Sequence, residues 1–302
     1  MSTLALGLGQ LFDGLSVASI LLLAALGLAL SFGLMRIINM AHGELIMTGG
    51  YLMFVAQHHL PGPSLALGLA LAFAGSAALG AVLELALIRR LYGRPLDTLL
   101  ATWGVSLMLQ QAARDLFDPT GVEVTAPAWL SGSLAFDTGP LAGLALAHVR
   151  LFIIALAIAV LCGMALVFGR TRAGLHIRAV NQNRAMASAL GVHSRRVDLL
   201  VFALGSGIAG LAGGALALIA PVTSTVGQSY IVDAFLVVIL GGMGTLRGTA
   251  IAALLIGTLS AVAETFTSIS AAKVALLLFV IAFLQLRPRG LIVARSRALE
   301  EA

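Results

Sequence analysis

The sequence predicts an all-α fold, a polytopic bundle of transmembrane helices, and three observations lead to that prediction. Of the 302 residues, 60% are hydrophobic and only 10% are charged, so almost every helix must be apolar around its whole circumference. Only lipid or a lipid-embedded bundle solvates such helices. The apolar runs are continuous, without the alternation of barrel strands, and helices satisfy their own backbone groups in hydrocarbon. The third observation is the clustering of arginines beside the runs, which orients the helices.

Nine apolar runs follow one another along the chain, most of them near the roughly 20 residues needed to cross a membrane. They lie at about 11–35, 38–57, 64–88, 97–117, 149–169, 198–220, 230–242, 248–267 and 271–287. The second run contains polar residues and several glycines, and the seventh is too short to cross. We therefore expect one transmembrane domain over residues 1–302, with about eight to nine membrane segments, one or two of them broken or re-entrant.

Arginine placement sets the expected topology. Of the 18 basic residues, 13 fall in three clusters that flank apolar runs, so topology explains the basic charge and no nucleic-acid partner is expected. The clusters are Arg89, Arg90 and Arg94; six arginines from Arg170 to Arg196; and Arg287, Arg289, Arg295 and Arg297. All three are predicted to be cytoplasmic. The stretch at about 118–148 has carboxylates and prolines but no lysine or arginine, and is predicted to be an outer-face loop.

Polar residues at membrane depth are the first candidates for a substrate pathway. In the second run these are Asn39, His42, Glu44, Thr48 and Tyr51. Such groups are costly in hydrocarbon unless they face a polar cavity or a partner, so they are expected to face inward. Glu44, Thr48 and Tyr51 follow i, i+4, i+7 and share one helix stripe. The alternatives are that these groups only satisfy one another inside the bundle, or that the segment lies near the surface.

A second polar set lies in the fourth run: Asp97, Thr98, Thr102, Gln110 and Gln111. Asp97 closely follows a proline and is expected to cap a helix N-terminus. Thr102, Gln110 and Gln111 are further pathway candidates, and Asp233, in the short seventh run, is another. For Glu84 and Glu264, near run ends, we expect solvation at the membrane interface.

The sequence excludes several kinds of chemistry. The single lysine, Lys273, is not preceded by the glycines of a phosphate-binding loop, so the chain cannot hydrolyse ATP through one. His42 and Glu44 lie two residues apart, which does not match a zinc-binding helix. No Gly-x-Ser-x-Gly nucleophile motif is present. We expect no enzyme activity, no metal site and no cofactor.

The longest arginine cluster contains a helical pattern between Gly174 and Gly191. Apolar Val180, Met186, Ala187 and Leu190 recur near helical spacing among polar residues, which predicts a short amphipathic helix that stops at Gly191. Such a helix suits the groove of a partner protein. The alternative is a helix on the inner leaflet whose arginines face anionic lipid.

Four stretches resemble one family. Residues 36–51, RIINMAHGELIMTGGY, are similar to the signature of permease subunits of ABC importers for branched-chain amino acids and urea. Residues 179–192, AVNQNRAMASALGV, resemble the cytoplasmic loop where such permeases meet their ATPase. Residues 94–111 and 230–248 look closest to the urea-type importer and to the first of its two permeases.

The resemblance implies an inner-membrane permease that pairs with a second permease, with cytoplasmic ATP-binding subunits and with an extracytoplasmic substrate-binding protein. It implies a cytoplasmic coupling loop at about 170–197. The implied ATPase contacts are Arg178, Gln182, Asn183, Ala187, Leu190 and Gly191.

Three functions are compatible with these observations. The resemblance favours ATP-driven import of urea, whose neutral hydrogen-bonding groups suit amides and hydroxyls. The alternative is the same machine importing branched-chain or related amino acids, whose charged groups need a polar or charged path, and Glu44 and Asp97 are compatible with either substrate. A stand-alone channel or an ion-driven carrier is a more distant alternative.

Overall fold

Each of the nine predicted apolar runs forms a helix in the computed structural model, which describes residues 3–35, 37–59, 65–136 and 144–292. In chain order, the elements of the described residues are α1 (Thr3–Met35), α2 (His42–His59), α3 (Leu65–Ala86), a 3₁₀ turn (Ile88–Arg90), α4 (Pro95–Leu116), β1 (Ser133–Phe136), β2 (Leu144–Ala147), α5 (His148–Arg170), α6 (Arg172–Gln182), α7 (Arg184–Ala189), α8 (Ser194–Ala217), α9 (Val226–Gly241), α10 (Leu246–Phe266) and α11 (Ile269–Leu286). The prediction of an all-α transmembrane bundle is confirmed.

Six helices of the described chain are long and apolar enough to cross a membrane by themselves: α1, α3, α5, α8, α10 and α11. The two segments expected to be broken, α2 and α9, are each one continuous helix with irregular backbone at one end. Before α2, residues 37–41 are not helical, and the Asn39 side chain accepts a hydrogen bond from the Ala41 amide. α9 has 16 residues, or about 24 Å, and ends at Gly242 with φ +99°.

Glycines bring the central helices into backbone contact. α8 packs against α1, α2 and α3. A Cβ at Gly213 of α8 would overlap the carbonyl oxygen of Ile46 on α2, and a Cβ at Gly210 would overlap the carbonyl oxygen of Ala72 on α3. Helices in lipid associate through such close packing, because no hydrophobic force drives them together. We call α1, α2, α3 and α8 the glycine-packed core.

The described members of the three arginine clusters lie at one end of the bundle, which we call the arginine end. Here Met35, at the end of α1, packs with Ile88 and Phe202. A groove of about 550 Å³ at this end is lined by Arg89 of the first cluster and by seven residues of the segment that holds the second, among them Arg184.

The third arginine cluster follows α11 and reaches the same end. The backbone after α11 touches the end of α9, because Ile292 packs against Gly242. The turn between α9 and α10 brings Gly244 against Gly33, near the end of α1. Two members of this cluster, Arg295 and Arg297, lie outside the described residues.

The opposite end carries the segment predicted as an outer-face loop. It is not wholly irregular: β1 and β2 pair antiparallel, with Ser133 opposite Ala147. Val122 also forms a bridge with Val222, and the Trp129 ring packs edge-on against Phe152. Residues 137–143 of the predicted loop lie outside the described residues.

Candidate functional site

α4 presents a polar stripe to the bundle. Its buried polar side chains recur every fourth residue: Thr98, Thr102, Ser106 and Gln110. The opposite face carries large apolar side chains that are half or more exposed, including Leu100 and Trp103. A residue spacing of four places side chains on one helix face. α4 is therefore apolar towards the lipid and polar towards the protein.

Glu44 on α2 faces this stripe. One of its carboxylate oxygens, Oε1, accepts hydrogen bonds from the Ser106 hydroxyl and from Nε2 of Gln110, each at 2.8 Å. One turn along α4, the Thr102 hydroxyl accepts a hydrogen bond of 3.1 Å from the Met40 amide. Over this length, hydrogen bonds join α2 and the residues just before it to α4. We call the following residues the polar seam: Asn39, Glu44, Tyr51, Thr102, Ser106 and Gln110.

Three buried polar atoms in the seam have no hydrogen-bond partner among the described residues. They are Nδ2 of Asn39, Oε2 of Glu44 and the hydroxyl of Tyr51. Leaving a buried donor or acceptor unsatisfied costs about 1–3 kcal/mol, and more when the group is charged. Buried polar groups that lack a protein partner indicate a ligand or ordered water. These three atoms are therefore the candidate contacts for a small polar solute.

The apolar end of the seam begins at Tyr51. Its ring stacks on Phe117, at the end of α4, with the ring centroids 4.3 Å apart. Tyr51 belongs to a buried apolar cluster with Met47, Leu69 and Ala113. The seam thus passes from a carboxylate and amides to an apolar wall within about two helical turns of α2.

Four other residues predicted to line the pathway lie elsewhere. The His42 ring faces α1, with Nε2 3.0 Å from the Ala24 carbonyl oxygen. The Thr48 hydroxyl donates to the backbone of its own helix. Gln111 is exposed and donates to Asp115, and Asp233 pairs with Lys273 of α11. The structure brings none of these four side chains into the hydrogen bonds of the seam.

Two sequence predictions about carboxylates are wrong. The N-cap position of α4 is Arg94, so Asp97 lies in the first turn and does not cap the helix. Glu84 is not solvated at an interface: its side chain is fully buried and is held by Arg89 and Tyr92. Glu264 is exposed, as expected, and accepts a hydrogen bond from Ser260.

Ser106 is the seam residue that the sequence reasoning missed. A serine in an apolar helix is common and gives no signal alone. Its position halfway between Thr102 and Gln110, four residues from each, was the available signal.

At the arginine end, the predicted amphipathic helix is two short helices. Asn183 separates α6 from α7 and caps α7 by accepting a hydrogen bond from the Met186 amide. The segment stops at Gly191, with φ +87°, as predicted. Of the six predicted contact residues, only Ala187 is buried; Arg178, Gln182, Asn183, Leu190 and Gly191 are exposed.

The predicted apolar face of this segment packs on the bundle only in part. Met186 is 59% exposed and Leu190 is 79% exposed, whereas Ala187 is buried. Leu175 of α6 is exposed as well, so three large apolar side chains of α6 and the α7 region are open to a partner.

A network of charged and aromatic side chains, which we call the tyrosine junction, ties α7 to the core. The Tyr92 hydroxyl donates to Glu84 at the end of α3. The guanidinium of Arg184, the first residue of α7, lies 5.5 Å from the centre of the Tyr92 ring and pairs with Asp198 of α8. Burial, helped by the nearby carboxylates of Asp198 and Glu84, raises the pKa of Tyr92 far above its usual range. Its hydroxyl therefore remains a donor at any working pH.

The sequence matches one protein family over most of its length. The family model described as "Branched-chain amino acid transport system / permease component" matches residues 10–285. The chain belongs to this permease family. The family predicted from the four resembling stretches is thereby confirmed, and the permease is a multi-pass bacterial inner-membrane protein.

Curated relatives cover most of the permease. The branched-chain amino acid permease protein BraD of Pseudomonas aeruginosa is 31% identical over 268 residues, 86% of this chain and 85% of the relative. LivH of Escherichia coli K12 is 26% identical over 296 residues, 94% of this chain and 95% of the relative. A probable LivH of Methanocaldococcus jannaschii is 27% identical over 259 residues, 83% of this chain and 80% of the relative. No solved structure matches the chain.

The names of these relatives favour branched-chain amino acids over urea among the two expected substrates. They are permease components of transport systems, not enzymes, and each is named for branched-chain amino acids. The expectation that the permease is closest to the urea-type importer is not supported by these names.

Proposed function

We propose that this permease is the membrane-spanning subunit of an ATP-driven importer of branched-chain or related amino acids. The names of its relatives support the substrate class. The single structural observation that carries the proposal is the polar seam, where three buried polar atoms have no partner among the described residues. The seam combines a carboxylate, amides and hydroxyls with an apolar wall, which is the mixture that an amino acid with an aliphatic side chain requires.

Substrate passes along the seam when α4 moves relative to α2. α2 is fixed to α8 within the glycine-packed core through backbone contacts of Gly49 with Gly210 and of Ile46 with Gly213. α4 meets α2 at the seam mainly through hydrogen bonds, which a polar solute can replace one for one. Exchange of protein hydrogen bonds for substrate hydrogen bonds changes the free energy little, so the seam can open without a large barrier.

Separate ATP-binding subunits supply the energy in this proposal. The arginine end is cytoplasmic by the positive-inside bias, and it carries α6 and α7 with their exposed apolar surface. The ATPase contacts Arg178, Gln182, Asn183, Leu190 and Gly191 there, while Ala187 anchors α7 to the bundle. The tyrosine junction then passes rigid-body movement of α7 to α3 and α8. A second permease completes the membrane unit, membrane lipid surrounds it, and a substrate-binding protein delivers substrate at the opposite end.

Uptake by the complete importer in proteoliposomes tests this function. We expect uptake of labelled leucine that requires ATP, the ATPase subunits and the binding protein, and no uptake of labelled urea. Urea uptake under the same conditions would restore the urea alternative. Leucine entry without ATPase subunits would establish a channel or carrier instead.

The coupling surface has its own test in Leu190→Ser. Replacing this exposed side chain removes apolar contact area, so we expect ATPase binding and ATP-driven uptake to fall about tenfold. Leu116→Ser is the matched control, because Leu116 is equally exposed, at 78%, but lies at the end of α4 away from the arginine end. Equal effects of both substitutions would place the ATPase contact elsewhere.

A further inference from the structure

We propose that Glu44 and Asn39 form a transient binding site for the two charged groups of a zwitterionic amino acid. The ammonium group binds Oε2 of Glu44, and the carboxylate binds Nδ2 of Asn39. This inference rests on the proposed function and names the groups by which the seam recognises its substrate.

Only one of the two carboxylate oxygens of Glu44 has hydrogen-bond partners among the described residues. Oε1 accepts two hydrogen bonds from α4, whereas Oε2 accepts none from any described residue, and the whole residue is 1% exposed. No described lysine, arginine or histidine lies within 4.0 Å of the carboxylate. A carboxylate in a membrane interior calls for a cationic partner. An ammonium group supplies both the charge and the hydrogen-bond donors.

Asn39 has a buried hydrogen-bond donor that lacks an acceptor among the described residues. Its Oδ1 accepts a hydrogen bond from the Ala41 amide at 3.0 Å, but its Nδ2 donates to no described residue. It lies just before the N-terminus of α2, where the helix dipole favours a negative group. A substrate carboxylate satisfies the free donor and this positive potential together.

The two positions are about one helical turn apart along α4. The residue after Asn39, Met40, is bonded to Thr102, while Glu44 is bonded to Ser106, four residues further on. Four residues of a helix correspond to about 6 Å. The ammonium and carboxylate of an α-amino acid lie closer together than this, so hydrogen bonds of about 2.9 Å that approach the zwitterion at an angle reach both groups.

The apolar end of the seam selects for the side chain of the substrate. Beyond Glu44, away from Asn39, the wall becomes apolar at Met47 and Tyr51, and at Ala113 of α4. An aliphatic side chain lies against this wall once the two charged groups are bound. The site therefore accepts several aliphatic amino acids and binds them more tightly than urea, which has neither charged group.

Direct binding to the purified permease–ATPase complex, without the binding protein, tests the site. Glu44→Gln keeps an oxygen for Ser106 and Gln110 but removes the charge and the free acceptor. We expect the Kd for labelled leucine to rise at least about tenfold, the usual effect of losing one charge-assisted hydrogen bond. The matched control, Glu264→Gln on α10, removes a carboxylate outside the seam and should leave the Kd unchanged. Unchanged binding in Glu44→Gln overturns the inference.

Competition on the unmodified complex provides a second measurement that does not depend on a variant folding. The hydroxy-acid analogue of leucine lacks the ammonium, and leucine amide lacks the carboxylate. We expect each to displace labelled leucine at least about tenfold less well than leucine does. Equal displacement by either analogue overturns the corresponding half of the site. If ATP-driven leucine uptake persists while these results fail, the inference is wrong and the proposed function stands; absence of leucine uptake refutes the function itself.

Discussion

The two faces of α2 differ in how they meet their neighbours. On one face, Gly43, Gly49 and Gly50 bring the backbone against α8, α9 and Val222, with no room for a side chain. On the other face, Glu44 and Tyr51 meet α4 through hydrogen bonds and one ring stack, and each keeps a polar atom that has no partner among the described residues. Backbone contact has a single arrangement, whereas polar groups can exchange partners. The comparison indicates that the contacts of α2 with the core are fixed, whereas its contacts with α4 in the seam can be exchanged for others.

The largest effect should come from the core. Gly213→Leu places a side chain where the Ile46 carbonyl oxygen lies, and neither backbone can withdraw without parting α2 from α8. We expect little or no folded permease, measured as a monodisperse peak after detergent extraction. Gly163→Leu on α5 is the control, because a Cβ there meets nothing within 4 Å, and its yield should match the unmodified protein. Normal folding of Gly213→Leu would show that the core is not rigid.

On the seam side, Gln110→Leu should spare folding and reduce transport. The substitution removes one donor from the buried Glu44 carboxylate, a loss of about 1.5–3 kcal/mol for a bond to a charged group. We expect leucine uptake to fall at least about tenfold at normal expression. Gln111→Leu, one residue along, removes only an exposed contact to Asp115 and should leave uptake intact. Matching losses in the two variants would mean that the seam is not the pathway.

The tyrosine junction should show an intermediate effect on coupling. Tyr92→Phe removes the hydroxyl bond to Glu84 but keeps the ring beneath Arg184. We expect the junction to lose about 1 kcal/mol of stabilising free energy, the contribution of one hydrogen bond. Leucine transported per ATP hydrolysed should then fall several-fold. Tyr92→Leu also removes the ring and should have the larger effect. The unmodified protein should show no change in coupling ratio up to about pH 9, because the raised pKa of Tyr92 keeps its hydroxyl protonated. A coupling ratio that falls between pH 7 and 9 would argue against this role.

The smallest effect should come from Ser106→Ala. Gln110 continues to donate to Glu44 Oε1, so one bond to the carboxylate is lost, at the lower end of about 1.5–3 kcal/mol, whereas Gln110→Leu also removes the bond from Gln110 to Ser106. We expect KM for uptake to rise by less than about tenfold, with folding unchanged. Together with Gln110→Leu, this variant ranks the two donors that hold the carboxylate. A complete loss of uptake in Ser106→Ala would show that the hydrogen bonds of the seam are as intolerant of substitution as the backbone contacts of the core.

Much of the fold could be predicted because each helix carries its own signal. The apolar runs formed helices at all nine predicted positions, since backbone groups in hydrocarbon must be satisfied within the segment. Gly191 ended the α6–α7 segment as predicted, for a local reason of backbone conformation. The site was predicted only in part. Asn39, Glu44, Tyr51, Thr102 and Gln110 meet in the seam, but Gln111 and Asp233 do not.

The sequence alone determined the membrane class, the helix positions and the family, because composition, run length and local motifs are properties of single segments. Only the tertiary structure decided which polar residues share a site. The contact between Glu44 and Gln110 joins residues 66 positions apart, and the burial of Glu84 depends on Arg89 and Tyr92 folding back over it. Hydrogen bonds and desolvation act between neighbours in space, and helix packing sets those neighbours after each helix has formed.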